Sequence, residues 1–232
     1  MTEKTVGILG GMGPDATVDL LRRIIRLTPA SDDVDHIRCI VDSNPKVPSR
    51  IRALIDGTGE DPAPEMADMA KRLAGWGADF LAIACNTAHY YYPSIQKAVP
   101  IPVINLMEAV TSHLRENFPG QSRIGMLASP AVKSIRLFSK NFQEAALSEI
   151  WPDEENMDRI LRVIKSVKKG DVGTDVRNKY KAVGESLKAR GAQILLVACT
   201  ELSFLDEWHG LPAVDSADVL AINIVKTAKT GF

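Results

Sequence analysis

Short apolar runs alternate with longer stretches in which apolar residues recur every three or four positions, and the alternation continues along the whole chain. Thr5-Val6-Gly7-Ile8-Leu9 reads as a buried strand. It runs into Gly10-Gly11-Met12-Gly13-Pro14-Asp15-Ala16, where glycines permit a tight turn and close approach to a ligand. Over residues 15–27, Val18, Leu21, Ile24, Ile25 and Leu27 keep helical spacing, with Arg22, Arg23 and Arg26 on the other face. Residues 36–41 read as a second strand. The loop over 42–50 follows, since Pro45 and Pro48 exclude regular pairing. A breaker-rich connection over 57–64 precedes a helix over 65–76, which leads to the apolar run Leu81-Ala82-Ile83-Ala84 ending at Cys85. A short helix over 93–98, a strand over 102–105 and a helix over 106–117 complete this half.

At Phe118-Pro119-Gly120-Gln121-Ser122 the pattern breaks and begins again. Arg123-Ile124-Gly125-Met126-Leu127 echoes the first strand, and Gly191-Ala192-Gln193-Ile194-Leu195-Leu196-Val197-Ala198-Cys199-Thr200-Glu201 repeats Gly77 to Thr87. Leu211-Pro212-Ala213-Val214-Asp215 repeats Ile101-Pro102-Val103-Ile104-Asn105. Three matched segments in one order, with unequal intervals, indicate duplicated halves with unequal loops. Helical spacing over 133–146, 153–169 and 175–190 fills the second half. The expected architecture is α/β, with two similar three-layer domains on parallel sheets related by a pseudo-twofold axis. The expected domains are 1–117, with 216–232 packing back on it, and 118–215. Ligands of such sheets bind at the carboxyl ends of the strands, which places Cys85 and Cys199 on opposite sides of an interdomain cleft.

Composition narrows the field. At 232 residues, with 45% hydrophobic and 25% charged residues and net charge −1, the chain can bury a sizeable core and lacks the basic excess that nucleic-acid binding requires. The start has no signal-peptide core, and no apolar run approaches the roughly 18 residues that a membrane span needs. A cytoplasmic protein is therefore expected, with Cys39, Cys85 and Cys199 as free thiols.

Cys39 reads as a small core residue. Cys85 and Cys199 differ, because Asn86-Thr87 and Thr200-Glu201 follow them and are expected to open helices whose N-termini stabilise a thiolate. His89 is open to two readings, as a residue that orients substrate or tunes Cys85 and as a satisfied structural histidine. His36, His89, His113 and His209 are scattered and the cysteines are not closely paired, so no metal site is expected. A rival reading takes Gly11-Met12-Gly13-Pro14-Asp15-Ala16 as G-x-G-x-x-A with Asp42 as the ribose contact, giving an NAD(P)-dependent reductase. That reading leaves the duplicated half and its cysteine unexplained.

Gly10-Gly11-Met12-Gly13-Pro14, Cys85-Asn86-Thr87-Ala88-His89 and Cys199-Thr200-Glu201-Leu202, in that order, resemble the aspartate/glutamate racemase family, in its aspartate racemase branch, over essentially the whole chain. The resemblance implies a homodimer that interconverts amino-acid enantiomers, aspartate or glutamate foremost, without pyridoxal phosphate or any other cofactor. It implies that Arg50 binds a substrate carboxylate, that Lys168 or a neighbouring lysine does related work, and that Met12, Gly13, Asn86, Thr87 and Thr200 line the pocket. Related isomerases and decarboxylases of small dicarboxylates or hydantoins form the alternative within the superfamily. Removing a proton from one face of a carbon and delivering one to the other calls for two acid/base groups, a demand that Cys85 and Cys199 fit. Glu201 either tunes Cys199 or holds the substrate ammonium. Where relatives often carry threonines after the fifth strand, this chain has Ala128-Ser129-Pro130-Ala131-Val132.

Overall fold

The structure is a computed structural model that describes residues 3–205 and 210–230, so His209 lies outside the described residues. The chain divides into two compact units, Met1–Ala109 with Ala217–Phe232, and Val110–Ser216.

The first unit opens with β1 (Val6–Gly10), α1 (Pro14–Leu27) and β2 (Cys39–Ser43), followed by α2 (Ala63–Gly75), β3 (Phe80–Ile83), α3 (Tyr92–Ala98) and the start of α4 (Leu106–Asn117). Its strands pair in parallel in the order β2-β1-β3. Leu9, Leu81 and Ile83 share a solvent-free cluster with Met66, Met69 and Leu73 of α2 and with Ile95 of α3. Ile8 and Ala82, which alternate to the other face, are equally free of solvent. Burial on both faces explains why β1 and β3 read as continuous apolar runs rather than alternating ones.

The second unit contains β4 (Arg123–Ala128), α5 (Pro130–Ser134), α6 (Ser139–Glu144), β5 (Ser148–Ile150), α7 (Glu154–Val167), α8 (Thr174–Ala189), β6 (Ile194–Ala198) and β7 (Ala213–Asp215). These strands too are parallel, in the order β5-β4-β6-β7. Ile160, Val163 and Ile164 of α7, Val183 and Leu187 of α8, and Leu195 and Val197 of β6 form its core. The chain returns to the first unit in α9 (Ser216–Thr230), where Asp218 pairs with Arg23 at 2.8 Å and the carbonyl of Ala228 accepts from the amide of Lys4 at 3.0 Å.

The internal repeat extends to individual atoms. Gly77 and Gly191 both carry a left-handed backbone, at φ 94° and 88°. The Leu81 amide donates to the Pro102 carbonyl at 2.8 Å, as the Leu195 amide does to Pro212 at 2.9 Å. A Cβ on Gly7 would meet Leu81 Cδ2 at 2.6 Å and Ala78 Cβ at 2.9 Å; on Gly125 it would meet Leu195 Cδ2 at 2.8 Å and Ala192 Cβ at 2.9 Å. The same close approach of first strand to third strand is built twice from matched residues.

Three expectations need correction. The second strand is displaced to Cys39–Ser43: Asp32 and Asp35 cap a 3₁₀ turn over Asp33–Asp35, and the chain leaves that turn through residues 36–38 before it pairs. The strand expected over 102–105 shrinks to a single bridge from Val103 to Leu81. Pro102 has no N–H to give, and on the outer side Gln96 bonds the Val103 amide at 2.8 Å and the Ile101 carbonyl at 3.1 Å. The single helix expected over 133–146 is two short ones. Arg136 takes φ 51° between them, and Phe138 and Phe142 are both buried beyond the break, with ring centroids 5.5 Å apart.

Candidate active site

In the strand order β2-β1-β3 the connection after β1 leads to one side of it and the strand that follows β2 lies on the other, so the reversal falls between the carboxyl ends of β1 and β3. Loops diverge at such a point and leave a crevice that ligands use. In the first unit the two loops are Gly11-Met12-Gly13 and Cys85-Asn86-Thr87, held level because Leu9 pairs with Ile83 and the Ala84 amide donates to the Leu9 carbonyl at 3.0 Å. In the second unit the reversal falls between β4 and β6. Ala128 pairs with Ala198 there, which sets Ser129 level with Cys199. Each sheet therefore presents a half-buried thiol at its own switch point.

Around Cys85 the backbone is tightly determined. A Cβ on Gly11, at φ 84°, would lie 2.3 Å from the Asn44 amide nitrogen, so only glycine lets the two loops approach. The Gly11 amide donates to Thr17 Oγ1 at 2.8 Å, and the Thr17 hydroxyl donates to the Gly13 carbonyl at 3.1 Å. Arg50 lies at the edge of this loop, with Nη2 donating to the Met12 carbonyl at 3.2 Å and Nη1 donating to the carbonyls of Pro48 at 2.9 Å and Val47 at 3.2 Å. Among the described residues it pairs with no carboxylate. Met12, Gly13 and Arg50 are thus brought together in the first unit, on the same sheet edge as Cys85, Asn86 and Thr87.

His89 is 1% exposed, with Nδ1 2.9 Å from the Cys85 carbonyl. Since a carbonyl only accepts, Nδ1 carries the proton and Nε2 is left as a bare, buried acceptor. Burial holds the imidazole pKa down at about 4, so the ring is neutral at physiological pH. It fixes the main chain that carries the thiol.

The second unit brings Cys199, Thr200, Glu201 and Lys168 together. The Cys199 thiol donates to Glu201 Oε2 at 3.0 Å, and the Thr200 hydroxyl lies 3.4 Å from the same oxygen. Glu201 Oε1 takes an ion pair from Lys168 Nζ at 3.2 Å. Lys168 follows the last residue of α7. Lys165 and Lys169, its neighbours, make no ion pair among the described residues.

For Cys199 this arrangement corrects the expectation that a helix N-terminus lowers the thiol. The chain after Cys85 opens in a 3₁₀ segment, Thr87–Tyr91, that runs into the short α3, and the chain after Cys199 forms a single turn, Leu202–Phe204. Neither offers the aligned amides of a long helix. Burial pushes the Cys199 thiol well above its ordinary value, and the Glu201 carboxylate beside it pushes further in the same direction. Burial also raises Glu201, but the Lys168 ammonium and the hydrogen bond from Cys199 outweigh it, and the carboxyl titrates below its usual range. With this set of contacts the second unit holds a thiol and a carboxylate, not a thiolate and an acid.

Two further residues emerge. Ser129 is buried, level with Cys199, and its Oγ has no partner among the described residues. Its signal in the sequence was its place at the end of the strand that repeats β1. Asp42, the ribose contact of the reductase reading, lies 3.3 Å from Arg72 through Oδ2 and stands within β2 rather than past its end. Among the described residues no group of three or more His, Cys, Asp or Glu could hold a metal ion. No helix among them is long and apolar enough to cross a membrane.

The fold and site define a protein of two repeated parallel α/β units, each with a cysteine at its switch point. The profile of the Asp/Glu/hydantoin racemase family matches residues 9–223, and the chain belongs to that family. It is 28% identical over 231 residues to the broad specificity amino-acid racemase RacX of Bacillus subtilis, covering 96% of this chain and 97% of that protein. Among solved structures it superposes on an aspartate racemase from Picrophilus torridus with a TM-score of 0.84 and 27% identity, covering 97% of this chain and 94% of that one. A glutamate racemase from Bacillus anthracis shares the fold at a TM-score of 0.67 and 19% identity, over 100% of this chain and 84% of that one.

Proposed function

We propose that the protein racemises a free amino acid, with a dicarboxylic amino acid as the favoured substrate, by proton transfer between its α-carbon and the two thiols of Cys85 and Cys199. The observation that carries this reading is the placement of one half-buried cysteine at the same point of each repeated sheet. In one direction a thiolate removes the α-proton while the opposite thiol delivers one to the other face, and in the reverse direction the roles exchange. Membership of a racemase family supports the reaction class, and the names of the Bacillus and Picrophilus relatives support an amino acid as substrate.

Arg50 supplies the carboxylate contact, since its guanidinium is already aimed by three carbonyls and pairs with no acid among the described residues. Lys168 supplies a second cation. The amides and side chains of Asn86, Thr87 and Thr200 donate to the carboxylate as negative charge develops in the transition state. The proposal includes a homodimer, which sedimentation velocity tests. Chiral chromatography of D- and L-amino acids incubated with the protein tests the reaction: inversion of aspartate or glutamate is expected, and failure to invert any amino acid in the panel would remove it.

A further inference from the structure

Glu201 has two oxygens and both are engaged, Oε1 by the Lys168 ammonium at 3.2 Å and Oε2 by the Cys199 thiol at 3.0 Å. The three groups are unequally enclosed. The Glu201 side chain is 13% exposed and the Lys168 side chain 48%. The carboxylate is the enclosed member, and the lysine is the one that reaches solvent and anything dissolved in it.

We propose that Glu201 accepts the proton of the Cys199 thiol and that Lys168 is the switch that decides when. The inference rests on the racemase reading above. Without substrate, the ammonium on Oε1 favours the charged carboxylate, and the proton stays on sulfur. When a substrate carboxylate draws Lys168 to itself, Glu201 loses that partner, its affinity for a proton rises, and the S–H proton moves along the existing hydrogen bond to Oε2. The S–H electron pair stays on sulfur, Glu201 becomes a neutral acid, and the thiolate is free to take the α-proton. One proton moves from sulfur to oxygen and the net charge of the pair is unchanged. Glu201 acts through Cys199 and needs no contact with the substrate. Thiolate formation is thereby tied to occupancy, which limits oxidation of the ligand-free protein.

The relay makes a prediction opposite in sign to the simple electrostatic one. A nearby ammonium ordinarily stabilises a thiolate, so removing it slows alkylation. In the relay Lys168 sits on Glu201, and removing it releases the carboxylate to take the thiol proton. Carbamidomethylation of Cys199 by iodoacetamide, a neutral reagent, is followed at pH 7 by peptide mass spectrometry in the ligand-free protein. Lys168→Met is expected to raise the rate about fivefold, the scale of a half-exposed ion pair of about 1 kcal/mol. Lys168→Arg is expected to keep the wild-type rate, and Lys168→Met with Glu201→Gln to lose the acceleration. A rate unchanged or lower in Lys168→Met overturns the relay, as does acceleration that survives in the double variant. The alkylation rate of Cys39 in the same digest reports folding, and Lys168→Gln repeats the measurement if Lys168→Met loosens the chain. Racemisation by the wild-type protein is measured alongside. Its absence removes the racemase reading, whereas its presence with slowed alkylation of Cys199 in Lys168→Met removes the relay alone.

Discussion

The guanidinium of Arg50 donates to the main-chain carbonyl of Met12 at 3.2 Å, joining the segment after β2 to the turn after β1. Two further carbonyls, of Val47 and Pro48, take the other terminal nitrogen. Three of the five N–H donors of an arginine are thereby used to aim it, and the two left over are the number a bidentate carboxylate pair needs. Arg50→Lys keeps the charge but cannot satisfy three carbonyls and an anion together. Steady-state kinetics on aspartate or glutamate are expected to show KM raised about tenfold or more in Arg50→Lys and further in Arg50→Ala, since a lost charged hydrogen bond costs roughly 1.5–3 kcal/mol. An unchanged KM in both variants removes Arg50 from the substrate site.

Cys39 separates reactivity from mere presence of a thiol. Burial raises its pKa to about 11, and its Sγ lies 3.5 Å from the Ile37 carbonyl, so at neutral pH it is a protonated, inert group. Cys39→Ser is expected to retain racemisation within about twofold of wild type, the range of an ordinary partly buried substitution away from the chemistry. Loss as complete as in Cys85→Ser would show that the assay reports folding rather than catalysis.

His89 predicts a pH dependence of stability. Its folded pKa of about 4 lies below the unfolded value near 6.5, so between these the unfolded chain binds more protons and stability falls as pH falls. The contribution is complete above pH 7 and is lost progressively towards pH 4. Urea unfolding at pH 7 and pH 5 is expected to differ by about 2 kcal/mol more in the wild-type protein than in His89→Asn, which keeps a donor for the Cys85 carbonyl and does not titrate. Equal pH dependence in the two proteins contradicts the buried neutral assignment.

The matched glycines predict matched costs. Gly7→Ala and Gly125→Ala each press a methyl group against a leucine of the third strand of their sheet and an alanine just before that strand, and each is expected to destabilise by about 1–3 kcal/mol through overpacking. Gly75→Ala, which meets nothing within 4 Å at the end of α2, is expected to be neutral or to stabilise by up to about 1 kcal/mol. Denaturant midpoints of the three variants check both statements.

Much of this was legible in the chain because the relevant rules are local. Gly77 and Gly191 stand at matching places in the repeated segments, and their left-handed backbones, the paired leucine amides and the glycine contacts follow from that match. Fully buried parallel strands announce themselves as unbroken apolar runs. β5 does not, since Ser148-Glu149-Ile150 is a three-residue edge strand with two polar members and no apolar run. The break at Arg136 was hidden by a helical pattern that continues through it. The electrostatics of Cys199 were hidden for a different reason. The sequence placed Glu201 two residues away, but whether a carboxylate, a lysine or a helix end governs a thiol depends on which of them reaches it in three dimensions. Lys168 lies just past the end of α7, far along the chain, and only the folded unit seats it on Glu201.

The two-thiol proposal requires one sulfur to take the α-proton and the other to deliver a different proton to the opposite face of the carbon. Proton NMR in deuterated water follows exchange of the α-hydrogen of L- and D-glutamate or aspartate, with chiral chromatography of the same samples. The wild-type protein is expected to exchange and invert both enantiomers, and Cys85→Ser and Cys199→Ser each to lose inversion while remaining folded. Inversion at the wild-type rate in either cysteine variant contradicts the two-thiol account.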